Sequence, residues 1–106
     1  MKRLILALVL LVAMTVPVFA IQYESITVAN TAIGLTGPLD WTKTEAYCTL
    51  ETAQVRFRID GVTAPTSSEG HILNIGEQLT IRSAEAVKNF RAIRTGATSG
   101  VLKCSY

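Results

Sequence analysis

The segment DGVTAPTSSEGH, Asp60 to His71, gathers the side chains most able to do chemistry in this sequence: Asp60, Ser67, Ser68, Glu69 and the single histidine, His71. A serine with a histidine and a carboxylate is the material of a nucleophilic triad, and carboxylates with an imidazole are the material of a metal site. Each chemistry makes demands on position. A triad needs its base held against the hydroxyl, and His71 follows Gly70 at the entrance to a strand, where nothing specifies that contact. Zinc wants more nitrogen and sulfur ligands than one histidine and two cysteines destined for a crosslink supply. Calcium loops alternate Asp or Asn ligands, and this segment does not. The same residues have local work to do. Asp60-Gly61 is turn chemistry, Pro65 fixes φ and lacks a ladder donor, and the hydroxyls of Thr66, Ser67 and Ser68 can satisfy nearby backbone groups. Gly70 then frees the chain to re-enter a sheet at Ile72. The segment reads as a corner, with no catalytic residue, metal or cofactor expected.

On both sides of that corner the hydrophobic period is two. Val55, Phe57 and Ile59 alternate with Arg56, Arg58 and Asp60, and Leu79 and Ile81 alternate with Thr80 and Arg82. Earlier, YESITVA and TAIGLT read as strands with a break near Ala29 to Thr31, and GPLDWTKT as a loop in which Trp41 covers one end of the core. Ser83 can cap one short helical turn over SAEAVKNF. FRAIR and GVLKCSY are expected to form a closing hairpin around TGATSG. Short strands separated by turn signals predict an all-β fold, a small antiparallel β-sandwich or partly closed barrel with one helical turn.

The first twenty residues stand apart. Met1, Lys2 and Arg3 make a positive start, Leu4 to Val16 is apolar but for Thr15, Pro17 ends the run, and Val18 and Ala20 occupy small-residue cleavage positions. Residues 1–20 are therefore expected to be a signal helix removed on export, the alternative being a retained anchor, for which the run is short. The remaining domain, 21–106, would be secreted or periplasmic, touching the membrane only through its leader. Of ten Lys and Arg residues, Lys2 and Arg3 belong to the leader, leaving as many cations as the eight acidic residues. A neutral domain has no global field to draw it to nucleic acid or anionic lipid. The cations are nevertheless concentrated late, at Arg82, Lys88, Arg91, Arg94 and Lys103. With Trp41 they form the candidate binding surface, weighed against the solvated outer face that alternation also produces.

A domain of this size buries a modest fraction of its surface, so a covalent staple matters. Alternation in AYCTLE puts Ala46, Cys48 and Leu50 on one face, and in GVLKCSY it puts Leu102, Cys104 and Tyr106 on one face. Two inward cysteines in an exported domain point to a Cys48–Cys104 disulfide worth about 4 kcal/mol in the chain-entropy picture, with two buried free thiols as the alternative. The pair is not a CxxC motif, and neither strand opens a helix that would activate a thiol.

The run from Ala46 to Tyr106 carries RFRIDGVTAPT (Arg56 to Thr66), GHIL (Gly70 to Leu73), GEQLTI (Gly76 to Ile81) and FRAIRTGAT (Phe90 to Thr98). In these it resembles a small β-rich module of tailed-phage and prophage virion-associated proteins. The resemblance rests on turns and core alternation; it implies a β fold and a place on a virion, and it supplies no catalytic residues. Two functions of different class are thus expected to compete. The first is a non-enzymatic structural or protein-interaction module of decoration or attachment type, holding a protein partner or a second copy. The second is a small exported carbohydrate- or anion-binding module built on Trp41, the tyrosines and the basic C-terminal third.

Overall fold

The computed structural model describes residues 21–37 and 42–106; the expected leader, residues 1–20, and Trp41 lie outside them. Among the described residues, seven strands and one helix follow in order: β1 (Tyr23–Val28), β2 (Ala46–Glu51), β3 (Val55–Arg58), β4 (His71–Leu73), β5 (Gln78–Ile81), α1 (Ala84–Asn89), β6 (Arg91–Arg94) and β7 (Gly100–Ser105). They build two antiparallel sheets, a four-stranded one in the order β1-β7-β2-β5 and a three-stranded one in the order β4-β3-β6. No closed barrel forms among the described residues, and the arrangement of the two sheets is sandwich-like.

The alternation read from the sequence fills the space between the sheets. Ile26 and Val28 of β1, Ala46, Cys48 and Leu50 of β2, and Leu102 and Cys104 of β7 meet Val55 of β3, Leu73 of β4 and Ala92 of β6 in one cluster. Val87 and Phe90, from α1 and the residue after it, complete the cluster. Ser83 caps the helix as expected, its hydroxyl accepting from the Ala86 amide at 3.1 Å.

Register explains where the disulfide sits. Gln22 and Tyr106 exchange two backbone hydrogen bonds, of 2.6 and 2.8 Å, at the start of the β1–β7 ladder. Bonded pairs alternate along an antiparallel ladder, so Cys104 turns its amide and carbonyl toward β1 and none toward β2. Cys48 and Cys104, directly opposite on β2 and β7, therefore form a non-hydrogen-bonded pair, the class in which Cα atoms lie closest. Their Cα atoms are 4.2 Å apart, and the two sulfurs are joined, linking positions 56 apart in sequence.

Three readings are corrected. FRAIR and GVLKCSY do not form a hairpin, because β6 pairs with β3 in one sheet and β7 with β1 and β2 in the other. The glycines and hydroxyls of TGATSG carry the chain between sheets instead. TAIGLT is no full strand: after β1 the chain crosses to the smaller sheet, where Ile33 bridges Ala92 and the Ala29 carbonyl accepts from Arg94, covering the outer edge of β6. Ile59 does not continue the inward face of β3, which ends at Arg58; it is 39% exposed.

The passage from β2 to β3 is tight. Thr52 there has φ of 80°, a left-handed conformation that a β-branched residue adopts only under constraint.

Candidate functional site

The corner from Ile59 to Gly70 folds back on the outer face of the smaller sheet, and Arg56 holds it there. From β3 its Nε donates to the Ser67 carbonyl at 3.1 Å and its guanidinium NH1 to the Gly70 carbonyl at 2.8 Å. Such charge-assisted bonds are the stronger ones. Thr66 and Glu69 bond through their backbones, at 2.9 and 3.3 Å, and the Thr66 hydroxyl accepts from the Glu69 amide at 3.0 Å. Gly61 and Gly70 take φ of 71° and 129°. At Gly61 a Cβ would collide with the Asn89 side chain, and at Gly70 it would press on the Phe57 carbonyl and Pro65. The turn chemistry expected of this segment is what these atoms do.

His71, at the start of β4, lays its ring beside Phe57 with centroids 5.4 Å apart. No hydrogen bond joins it to Ser67 or Ser68 among the described residues. Nor, among these, does any group of three or more His, Cys, Asp and Glu gather as metal ligands. Around it lies an open groove of about 400 Å³, lined by Arg58, Ile59, Asp60, Glu69, Gly70 and His71. Arg58 is ion-paired with Asp60, and this hydrogen bond is the main reason the Asp60 carboxyl titrates below its ordinary value.

A narrower crevice of about 40 Å³ adjoins on the other side of Arg58, between that residue, Arg91, Asn89 and the loop Gly61 to Ala64. Arg58 and Arg91 stand directly opposite on β3 and β6, pointing away from the core. Like charges in this relation are unfavourable unless something neutral or negative intervenes, and Asp60 serves Arg58 alone. Two exposed aliphatic residues lie on this side of the sheet: Ile72, opposite Arg56 on the same outer face, is 46% exposed, and Val62 in the crevice wall is 84% exposed.

The five cations picked out in the sequence do not come together. Arg91 lies on the outer face of the smaller sheet and Lys103 on the outer face of the larger one, because β6 and β7 belong to different sheets. Lys88 projects from α1, Arg82 lies between β5 and α1, and half-buried Arg94 donates to Ser99 at 3.4 Å. Trp41 is not among the described residues. Arg58, distant from these cations in sequence, is the residue that stands opposite Arg91. Only the β3–β6 register reveals that pairing.

The outer face of the larger sheet has another character. One row across it reads Tyr23, Ser105, Tyr47, Thr80, and the next Ser25, Lys103, Thr49, Gln78. Hydroxyls and two exposed rings dominate, with little charge. At the sheet's end the Glu24 carboxylate accepts from the Thr36 amide at 2.8 Å, from the Thr36 hydroxyl, and from the Tyr106 hydroxyl at 2.6 Å. Burial alone would raise the Glu24 carboxyl, but the donors from Thr36, Tyr106 and Gly37 outweigh it and hold the carboxyl below its ordinary value. Burial, reinforced by Glu24, pushes the Tyr106 phenol up to about 12.

No family model, curated protein or solved structure matches the chain.

Proposed function

We propose that this chain is a non-enzymatic protein-interaction module, exported through its leader, which holds a protein partner against the outer face of the smaller sheet. One observation carries the reading: exposed Ile59 and Val62 line the groove and the crevice on either side of Arg58, Arg91 stands opposite it in register, and exposed Ile72 lies on the same outer face. Arginine and large side chains over desolvatable surface are the composition that concentrates binding energy at protein interfaces. Asp60 neutralises Arg58, and no ion pair forms at Arg91 among the described residues, so the Arg91 guanidinium selects a partner that brings a carboxylate. The disulfide fits an oxidising compartment, and no helix among the described residues is long and apolar enough to cross a membrane. The resemblance of residues 46–106 to phage virion modules favours a decoration or attachment role.

The test is charge reversal. Arg58→Glu with Arg91→Glu is expected to abolish co-purification of a partner from the exporting host or a phage lysate, while Lys103→Glu on the opposite face leaves it intact. Equal recovery with both variants would remove this face from the reading.

The crevice between Arg58 and Arg91 also favours a second reading, a small anion-binding module. In that case sulfate or an acidic sugar alone shifts the thermal midpoint of the wild type and not of the double variant.

A further inference from the structure

The larger sheet has two outer edges, and β1 is the longer of them, at six residues against four for β5. The pairing of Gln22 with Tyr106 sets the ladder parity: Glu24, Ile26 and Val28 spend their backbone groups on β7, while Tyr23, Ser25 and Thr27 turn theirs outward. Among the described residues, nothing receives those outward amides and carbonyls.

Edges of this kind are usually defended by lysine, proline, a bulge or a free charge. YESITV contains no Lys, Pro or Gly, and its residues other than Glu24 and Ser25 favour strands. Its one charge is withdrawn, since the Glu24 carboxylate is held by Thr36 and Tyr106. The smaller sheet is protected by contrast: β4 offers three residues, and the edge of β6 is covered by Ile33.

We propose that β1 is a self-association edge, pairing antiparallel with β1 of a second copy about a two-fold axis centred on Ser25. The parity admits this register. Ser25 opposes the partner copy's Ser25, and Tyr23 opposes its Thr27, each pair exchanging two hydrogen bonds through groups that are otherwise unused. Side chains stay on matching faces, so the hydroxyl-rich surface continues across the axis and Tyr23, 66% exposed in the single chain, lies over the partner copy's Thr27. No charge meets a like charge along the seam. A second copy is thereby the occupant that fits: its edge offers the same alternation of donors and acceptors and the same lack of charge. Strand pairing alone buries little surface, so the dimer is reversible and concentration-dependent. The proposal uses a different surface from the Arg58–Arg91 face, so either can fail without the other.

Sedimentation equilibrium over a concentration series tests it, with amide hydrogen exchange at low and high concentration. The expected result is a monomer–dimer equilibrium in which the Tyr23, Ser25 and Thr27 amides gain protection as concentration rises. Ser25→Lys sets two ammonium groups opposite one another at the axis and should leave a folded monomer. If that variant proves unfolded by circular dichroism, the exchange pattern of the wild type still decides. A strict monomer at every concentration would overturn the proposal, as would a dimer that survives Ser25→Lys or that protects other amides.

Discussion

Thr52 shows most plainly how a single residue here serves the chain path at the expense of its own conformation. Its φ of 80° lies where a β-branched side chain is crowded, and it sits between β2 and β3, where the chain leaves one sheet for the other. Thr52→Gly is expected to stabilise the protein by about 1 kcal/mol, the relief of left-handed strain less the extra freedom of glycine in the unfolded chain. Urea denaturation checks it; destabilisation would show that the threonine side chain contributes more than its backbone costs. Glu24 and Tyr106 make a second residue-scale device, with a pH signature. The folded Glu24 carboxyl lies below its ordinary 4.5, so its contribution is present above that pH and is lost as pH falls through the lower folded value. The folded Tyr106 phenol lies above its ordinary 10.0, so its contribution is complete below that pH and is lost as pH rises toward about 12. Stability should therefore form a plateau with two shoulders, and Glu24→Gln should flatten the acid one. An unchanged acid shoulder in that variant would remove Glu24 as its source.

At the scale of elements, the sequence was legible wherever the physics was local. Alternation placed Ala46, Cys48 and Leu50 inward on β2 and Leu102 and Cys104 inward on β7, and all five are buried. Ser83 announced the helix cap, and the Asp60 to Gly70 residues announced a corner that now proves to be built from their own hydrogen bonds and the Arg56 clasp. Most pairing partners were not legible, because apart from β3 and β4 neighbours in sequence are not neighbours in these sheets: β6 passes to β3, and β7 inserts between β1 and β2. That insertion also brings Cys104 opposite Cys48, the register in which the disulfide expected of two inward cysteines forms. The disulfide closes a loop across 56 positions, so Cys48→Ala with Cys104→Ala should lower stability by about 4 kcal/mol while the strand content of the folded fraction is kept. Denaturation of that double variant beside the oxidised wild type measures it; a loss under about 1 kcal/mol would mean that the β2–β7 ladder already holds those ends together.

The whole molecule divides its labour between two faces and one edge. The larger sheet presents hydroxyls and rings over a stapled ladder, the smaller one presents exposed isoleucine and two opposed arginines, and β1 leaves its outward backbone groups without a partner among the described residues. The cations expected to share a surface in the last third of the chain are spread over separate elements, because β6 and β7 are consecutive in sequence yet lie in different sheets. Arg58 was overlooked for the same reason, being distant in sequence from the residue it faces. The proposed holding of a protein partner on the smaller sheet's outer face is open to direct measurement by site-specific photo-crosslinking in the native host. A crosslinker at position 72, on that face, should capture a discrete partner whose yield collapses when Arg58 and Arg91 are reversed in charge, and one at position 49, on the opposite face, should capture none. Capture from position 49 with none from position 72 would place the partner on the larger sheet and contradict this assignment.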